Sequence, residues 1–230
     1  THGVLMLSTL FSMVLHGLEG YPIETEVDVS PGLPSFIVVG LPDEAVRESR
    51  DRVKAALSNS GYAVPPKRIT VNLAPADVKK EGPAFDLPIA LGILACLGEV
   101  PADRLKDFFF LGELALNGSL RETKGILPIA LALRKHAPRG LVVPQANAPE
   151  AAVVEGVRSY GFSCLKEVAD FLKGDLRREA VPAPVLQSLD DLPGDLDFSD
   201  VKGQSLAKRG VEIAVAGGHS IDDAEPKYGM

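Results

Sequence analysis

Residues 87–97 read LPIALGILACL, and none of their side chains is polar. A helix that is apolar on all sides cannot face water, so this segment predicts a helix at the centre of the fold. Pro88 would lie in the first turn, where a missing N–H is harmless, and Gly98 follows the helix end. Asp86 directly precedes the apolar run and is predicted to cap it. The rest of the chain therefore has to surround this helix.

Helical and strand patterns alternate along the sequence, and this alternation predicts an α/β layer architecture. Alternating apolar and polar residues predict strands at 23–29 and 36–39, and Asp43 is predicted to cap a helix that ends near Gly61. The other predicted strands lie at 69–73, at 108–116 with an interruption at Gly112, at 141–143 and at 160–165. The other predicted helices lie at 127–136 and 168–173, and one more follows a capping box made by Asn147 and Glu150.

The composition changes after the last predicted helix. Pro182, Pro184, Pro193 and several acidic residues are typical of a linker. We therefore predict a domain at 1–174, a Pro- and Asp-rich linker at 175–196, and a third part at 197–230.

Composition places the chain among soluble globular proteins, with 46% apolar and 24% charged residues. No stretch reaches the roughly 20 apolar residues that a membrane helix needs, and the apolar residues 3–15 lack the basic flank and cleavage site of a signal peptide, so they predict a strand. Cys96 and Cys164 are isolated and are predicted to be buried free thiols, which favours a cytoplasmic location.

The segment that leads into the apolar helix resembles the active-site region of Lon-type peptidases. Residues 71–93 read VNLAPADVKKEGPAFDLPIALGI, a strand followed by a turn, a basic step and the sequence Gly-Pro-Ala-Phe-Asp. In Lon peptidases a GPSAG-like turn presents the nucleophilic serine at the start of a buried helix. The resemblance puts Ala84 at the serine position and Leu127 at the position of the catalytic lysine. Since a methyl group cannot attack a carbonyl, we predict a pseudo-peptidase that is not an enzyme.

Four longer segments resemble the ComM/YifB family, whose members are also described as Mg-chelatase-like AAA+ ATPases. Residues 30–57, 68–95 and 110–133 resemble the amino-terminal domain of that family, and residues 197–220 resemble the start of its AAA+ module. The resemblance implies the fold of ribosomal protein S5 domain 2, which Lon peptidases and the carboxy-terminal domain of RadA share. It also implies a homo-hexameric ATPase that acts on DNA, described for this family as branch migration during natural transformation and recombination.

The same resemblance bears on nucleotide binding. The family's phosphate-binding loop, G-x-x-x-x-G-K-[ST], does not occur in this sequence, so we predict no cofactor for this chain, while ATP and Mg²⁺ are expected for the full-length family. Val201, Gly203 and Gln204 would then be a remnant of the adenine side of the nucleotide site. The four histidines lack metal-ligand spacing, and no metal site is predicted.

Basic residues near the strand at 69–73 are candidates for DNA contact. The net charge of −7 argues against a DNA-binding surface over the whole molecule but allows a local basic patch. Lys67, Arg68, Lys79 and Lys80 bracket this strand with little acidic compensation. They are either phosphate ligands or exposed loop residues that are only solvated.

The helix that follows Asp43 carries a second set of basic residues. Arg47 and Arg50, with Arg52 and Lys54, would form a stripe that faces DNA. The alternative is that acidic residues four positions away compensate them, in the pairs Asp43–Arg47, Arg47–Asp51 and Glu48–Arg52.

These patterns favour a non-catalytic scaffold and oligomerisation domain that arranges subunits and guides DNA into a motor ring. Two other classes stay open. One is a regulatory module that recruits a protein partner without touching DNA, and the other is a Lon-like peptidase with a different nucleophile.

Overall fold

The computed structural model describes residues 7–17, 19–136, 140–183, 203 and 205–217. The chain divides into two compact units, Thr1–Pro184 and Val185–Met230. In the second unit the structure describes one helix, Ser205–Gly217. The predicted linker and third part lie mostly outside the described residues, so the predicted boundaries at 174 and 196 stay predictions.

The first unit is built on a mixed sheet, seven strands of which lie in the described part of the chain. These strands are β1 Leu7–His16, β2 Glu19–Ser30, β3 Ser35–Val39, β4 Arg68–Ala74, β5 Phe108–Phe110, β8 Gly140–Pro144 and β9 Ser159–Phe162; a separate two-stranded ribbon is made by β6 Glu113–Leu114 and β7 Leu120–Arg121. Their order in the sheet is β3-β4-β2-β1-β5-β8-β9. Antiparallel pairing joins β1 to β2 and β2 to β4, and the other neighbours are parallel.

Helices connect β3 to β4, β4 to β5, β7 to β8 and β8 to β9, which confirms the predicted α/β class. The α-helices are α1 Glu44–Asn59, α2 Asp86–Cys96, α3 Ala102–Leu105, α4 Ile126–Leu133, α5 Ala148–Ala152, α6 Leu165–Lys173 and α7 Ser205–Gly217. The predicted interruption of the strand 108–116 at Gly112 is confirmed, since β5 ends at Phe110, β6 begins at Glu113 and Gly112 lies between them.

Two hydrophobic clusters cover opposite faces of the sheet. Because side chains alternate along a strand, Val142 of β8 points into one cluster, and its neighbours Leu141 and Val143 point into the other. The first cluster contains the buried apolar residues of α1, α2 and α6, and the second contains those of α4 and α5. The sheet is therefore the middle layer of three.

Helix α2 is the centre of the first cluster, as its composition predicts. Every one of its residues is buried. Gly92 lets it lie close to the sheet, since a Cβ there would meet the side chains of Val27 and Leu10. Its Cys96 is buried and forms no disulfide, as predicted, and its Sγ donates to the Val27 carbonyl at 3.1 Å, whereas Cys164, also outside any disulfide, is only half-buried. Among the described residues, no helix is long and apolar enough to cross a bilayer.

Candidate functional site: the turn before the central helix

The turn that resembles a peptidase nucleophile turn joins β4 to α2. Gly82 has a φ of 82°, which favours glycine, and Pro83–Phe85 form one turn of 3₁₀ helix. The Ala84 carbonyl accepts from the Gly112 amide at 2.9 Å, and the Leu87 amide donates to the Gly112 carbonyl at 3.0 Å. Backbone hydrogen bonds to a neighbouring segment thus fix the turn on both sides of Ala84.

Asp43 connects this turn to the start of α1. One carboxylate oxygen accepts from the Val46 amide at 2.8 Å, which caps α1 as predicted, and the other accepts from the Gly82 amide at 3.0 Å. The Asp43 amide donates to the Lys80 carbonyl at 2.9 Å, and the Lys80 amide donates to the Leu41 carbonyl at 3.1 Å. Asp43 therefore holds the turn in place with both its side chain and its backbone.

Lys80 is buried, which corrects the expectation of an exposed loop lysine. Its side chain is 0% exposed, and its ammonium donates to the Pro75 carbonyl. Burial lowers the pKa of this ammonium, an effect that the nearby carboxylate of Asp77 partly opposes. In this conformation the Lys80 ammonium is buried against the Pro75 carbonyl rather than exposed to solvent.

Asp86 forms a buried ion pair with Arg52 rather than the predicted cap of α2. Its carboxylate accepts from Arg52 Nε at 2.7 Å, from Arg52 Nη2 at 3.0 Å and from the Leu114 amide at 3.1 Å. Burial raises the pKa of Asp86 to about 6, and the Arg52 guanidinium works against that rise. The cap prediction is wrong because the N-cap residue of α2 is Phe85, and Asp86 already lies within the helix.

The two positions that a Lon-type peptidase would use for catalysis carry hydrocarbon. Ala84 is half-buried and packs against the second hydrophobic cluster. Leu127, 37% exposed, lies in the first turn of α4, and its amide donates to the Glu150 carboxylate at 2.9 Å. Within the described part of the chain, no serine hydroxyl is hydrogen-bonded to a lysine.

The predicted capping box of Asn147 and Glu150 is wrong, since neither side chain caps its own helix, α5. The buried Asn147 amide group accepts from the Thr123 amide at 2.9 Å and donates to the Thr123 carbonyl at 2.8 Å. Together with the Glu150 contact to Leu127, these bonds position the loop before α4. Both partners lie more than 20 residues away in the sequence, so local spacing could not identify them.

Arginines of α1 are compensated differently from the predicted pattern. Of the three predicted pairs, the structure contains Arg52–Glu48, at 3.7 Å. Arg50 instead pairs with its neighbour Asp51 at 3.0 Å, and this contact raises the pKa of Arg50. The Asp43 carboxylate accepts from the Gly82 amide of the turn instead of pairing with Arg47. The exposed Arg47 forms no ion pair with any described residue.

The other candidate DNA ligands lie at both ends of β4. Arg68 begins the strand and is exposed, Lys67 is half-buried, and Lys79 follows the strand and pairs with Glu81 at 2.6 Å. The proposed adenine-side residues Val201 and Gln204 lie outside the described residues, and Gly203 has a φ of 72°. In the described ranges, no group of three or more His, Cys, Asp or Glu residues could hold a metal ion.

Comparison with known proteins shows which families this chain is similar to. A family model described as subunit ChlI of Mg-chelatase matches residues 25–147. Competence protein ComM of Haemophilus influenzae is 42% identical over 217 residues, which cover 94% of this chain and 42% of that protein. The YifB protein of Escherichia coli is 41% identical over 217 residues with the same coverage. Lon protease 2 of Bacillus subtilis is 23% identical over 125 residues, 53% of this chain and 22% of that protein.

The matched region contains the turn, the central helix and the elements that hold them. This chain spans 42% of the length of ComM and of YifB. The family model alone covers more than half of the 230 residues. The chain belongs to the ComM/YifB family of Mg-chelatase-type AAA+ proteins.

Proposed function

We propose that the first unit of this chain is a non-catalytic scaffold domain of a ComM/YifB-type AAA+ ATPase, with the S5 domain 2-like fold of Lon peptidases. One observation carries the proposal: the turn that resembles the Lon nucleophile turn has the Ala84 methyl group at the nucleophile position, while the polar side chains around it form structural hydrogen bonds and an ion pair. Asp43 holds the Gly82 amide, and Asp86 is occupied by Arg52. A turn kept in place without its nucleophile supports a structural role.

A peptidase needs a nucleophile and a base in contact with it. Ala84 has no hydroxyl, and the side chain of Leu127 cannot accept a proton. The similarity to Lon protease 2 therefore bears on the fold and not on its reaction. Peptide hydrolysis by this chain would require a different pair of residues.

The activity of the whole protein is a further part of the proposal. We infer a homo-hexamer in the cytoplasm that uses ATP and Mg²⁺, bound by its AAA+ module, to move branched DNA during natural transformation and recombination. The printed name of the ComM relative, a competence protein, supports this inference. In such a ring the domain described here would set the spacing of the subunits and the path of DNA into the motor.

Deleting residues 1–174 from the full-length protein is expected to abolish hexamer formation. The AAA+ module keeps its own nucleotide site in this variant, so loss of the ring would come from loss of the scaffold. Sedimentation velocity with ATP and Mg²⁺ measures the outcome. A hexamer of wild-type stability without these residues would contradict the scaffold role.

Charge reversal at Lys67 and Arg68 is expected to weaken DNA binding by this chain. Each lost phosphate contact should lower the slope of log K against log salt by about 0.9 for duplex DNA. Fluorescence anisotropy with branched DNA at several salt concentrations measures it. Lys106→Glu with Lys166→Glu changes the net charge equally at two exposed positions elsewhere and serves as control. If the Lys67 and Arg68 reversal binds DNA as tightly as the Lys106 and Lys166 control, the protein-recruiting alternative is favoured instead.

A further inference from the structure

The second face of the sheet is covered over only part of its width. Helices α4 and α5 contribute to the cluster on that face, together with residues of β1, β5 and β8. Strands β3, β4 and β2 lie at one side of the sheet, and on this face β3 presents Ile37 and Val39, 41% and 42% exposed. On the same face β2 presents Glu24, Glu26 and Asp28. We call these five residues the acidic sheet face.

The strand register places one basic residue on this face, the exposed Arg68, which pairs with Ser30 at the Asp28 end of the row. Asp28 lies opposite Thr70 of β4 and Leu7 of β1. Glu26 lies opposite Asn72, whose amide donates to it at 2.7 Å, and opposite Thr9. Within the described residues none of the three carboxylates forms an ion pair. Three like charges in a row repel one another, so the surface favours a basic partner.

Helix α4 presents the opposite chemistry. Leu127 and Leu131 are 37% and 52% exposed and are four residues apart, which places them on one side of the helix. Lys124 lies before them and Lys135 after them at similar spacing, and both are exposed. Neither lysine forms an ion pair within the described part of the chain. We call these four residues the α4 ridge.

We propose that a second copy of this chain docks its α4 ridge on the acidic sheet face; this inference rests on the proposed scaffold function. The leucines of the ridge would cover Ile37 and Val39, and its lysines would face Glu24 and Asp28. Exposed apolar residues bordered by charge are typical of interfaces between proteins. Both surfaces belong to one chain, so each copy can dock its α4 ridge on one neighbour and bind the α4 ridge of a neighbour on its own acidic sheet face, as the contacts of a closed oligomer require.

Charge also argues against two other occupants of the acidic sheet face. Residues 185–200 of the same chain contain five aspartates and no lysine or arginine, so they would add like charge to it. The three carboxylates also repel a DNA backbone, so a phosphate contact on this face would be limited to its Arg68 end. A basic and apolar surface is required, and the α4 ridge supplies both properties.

Two charge-reversal variants of the 230-residue chain test the contact. Glu24→Lys with Asp28→Lys makes the sheet face basic, and Lys124→Glu with Lys135→Glu makes the ridge acidic. Each variant alone is expected to weaken self-association by on the order of 100-fold, because like charges then meet at every contact. An equimolar mixture is expected to associate again, since each variant's altered surface matches one surface of the other. Sedimentation equilibrium up to millimolar concentration measures both effects.

Matched controls carry the same charge changes near or on α6, which packs on the other face of the sheet. Asp175→Lys with Glu179→Lys, and Lys166→Glu with Arg177→Glu, change exposed residues and are expected to associate like the wild type. A wild-type chain that stays monomeric, or a mixture that does not associate, would overturn the inference. Unchanged association of both reversal variants would overturn it too, while leaving the scaffold role, which the deletion tests, intact.

Discussion

Replacing Asp86 by alanine is expected to lower the free energy of unfolding by about 3–5 kcal/mol. Asp86 has no exposed surface, and the Arg52 side chain is only 20% exposed, so the change leaves a largely buried guanidinium without its partner. The Leu114 amide also loses its acceptor. Urea unfolding followed by circular dichroism measures the loss.

A double variant separates the net contribution of the ion pair to the free energy of unfolding from the penalty of leaving one buried charge unpaired. Arg52→Met with Asp86→Leu removes both charges and keeps apolar volume, so it is expected to recover most of the lost stability. A residual loss of about 1–3 kcal/mol would reflect the unpaired Leu114 amide. The exposed pair of the same helix is the control: Asp51→Ala should leave the urea midpoint nearly unchanged, since exposed ion pairs contribute little. An Asp86→Ala variant as stable as Asp51→Ala would contradict the structural role of the pair.

The contrast between α2 and Asp86 explains what the sequence could and could not predict. Burial of α2 follows from its composition alone, because no orientation of an all-apolar helix exposes a polar side. The role of Asp86 depends on Arg52, which is 34 residues earlier and on another helix. Both a cap and an ion pair satisfy a carboxylate at a helix start, and only the tertiary arrangement decides between them.

The adjacent lysines show the same limit. Lys79 and Lys80 differ in the structure because the segment is extended there and forms a bridge between Lys80 and Pro42. Neighbouring side chains in an extended segment point in opposite directions, so Lys79 is exposed, Lys80 is buried and Glu81 is exposed again. Treating 78–81 as a strand-like segment would have predicted that one lysine points inward, but not which one. The family's turn was recognisable from local sequence, whereas the residues that hold it were not.

Reversing the charge of Lys80 is expected to destabilise the domain far more than reversing that of Lys79. Lys80→Glu would place a carboxylate against the Pro75 carbonyl oxygen and near Asp77, where an ammonium now donates. The new carboxylate would be repelled by both groups in a buried site, so the free energy of unfolding should fall by about 3 kcal/mol or more. Lys79→Glu makes the same change of net charge at an exposed position and is expected to leave the unfolding midpoint nearly unchanged.

Lys80→Met shows whether the charge or the volume of this side chain matters. Methionine fills similar space without a charge, and burial already disfavours the charged lysine, so a loss below about 1.5 kcal/mol is expected. The same variants also test the DNA hypothesis. If Lys80 were a phosphate ligand, Lys80→Met would remain folded yet lose DNA affinity and part of its salt dependence. A folded Lys80→Met variant with wild-type DNA binding would place Lys80 among the residues that hold the turn.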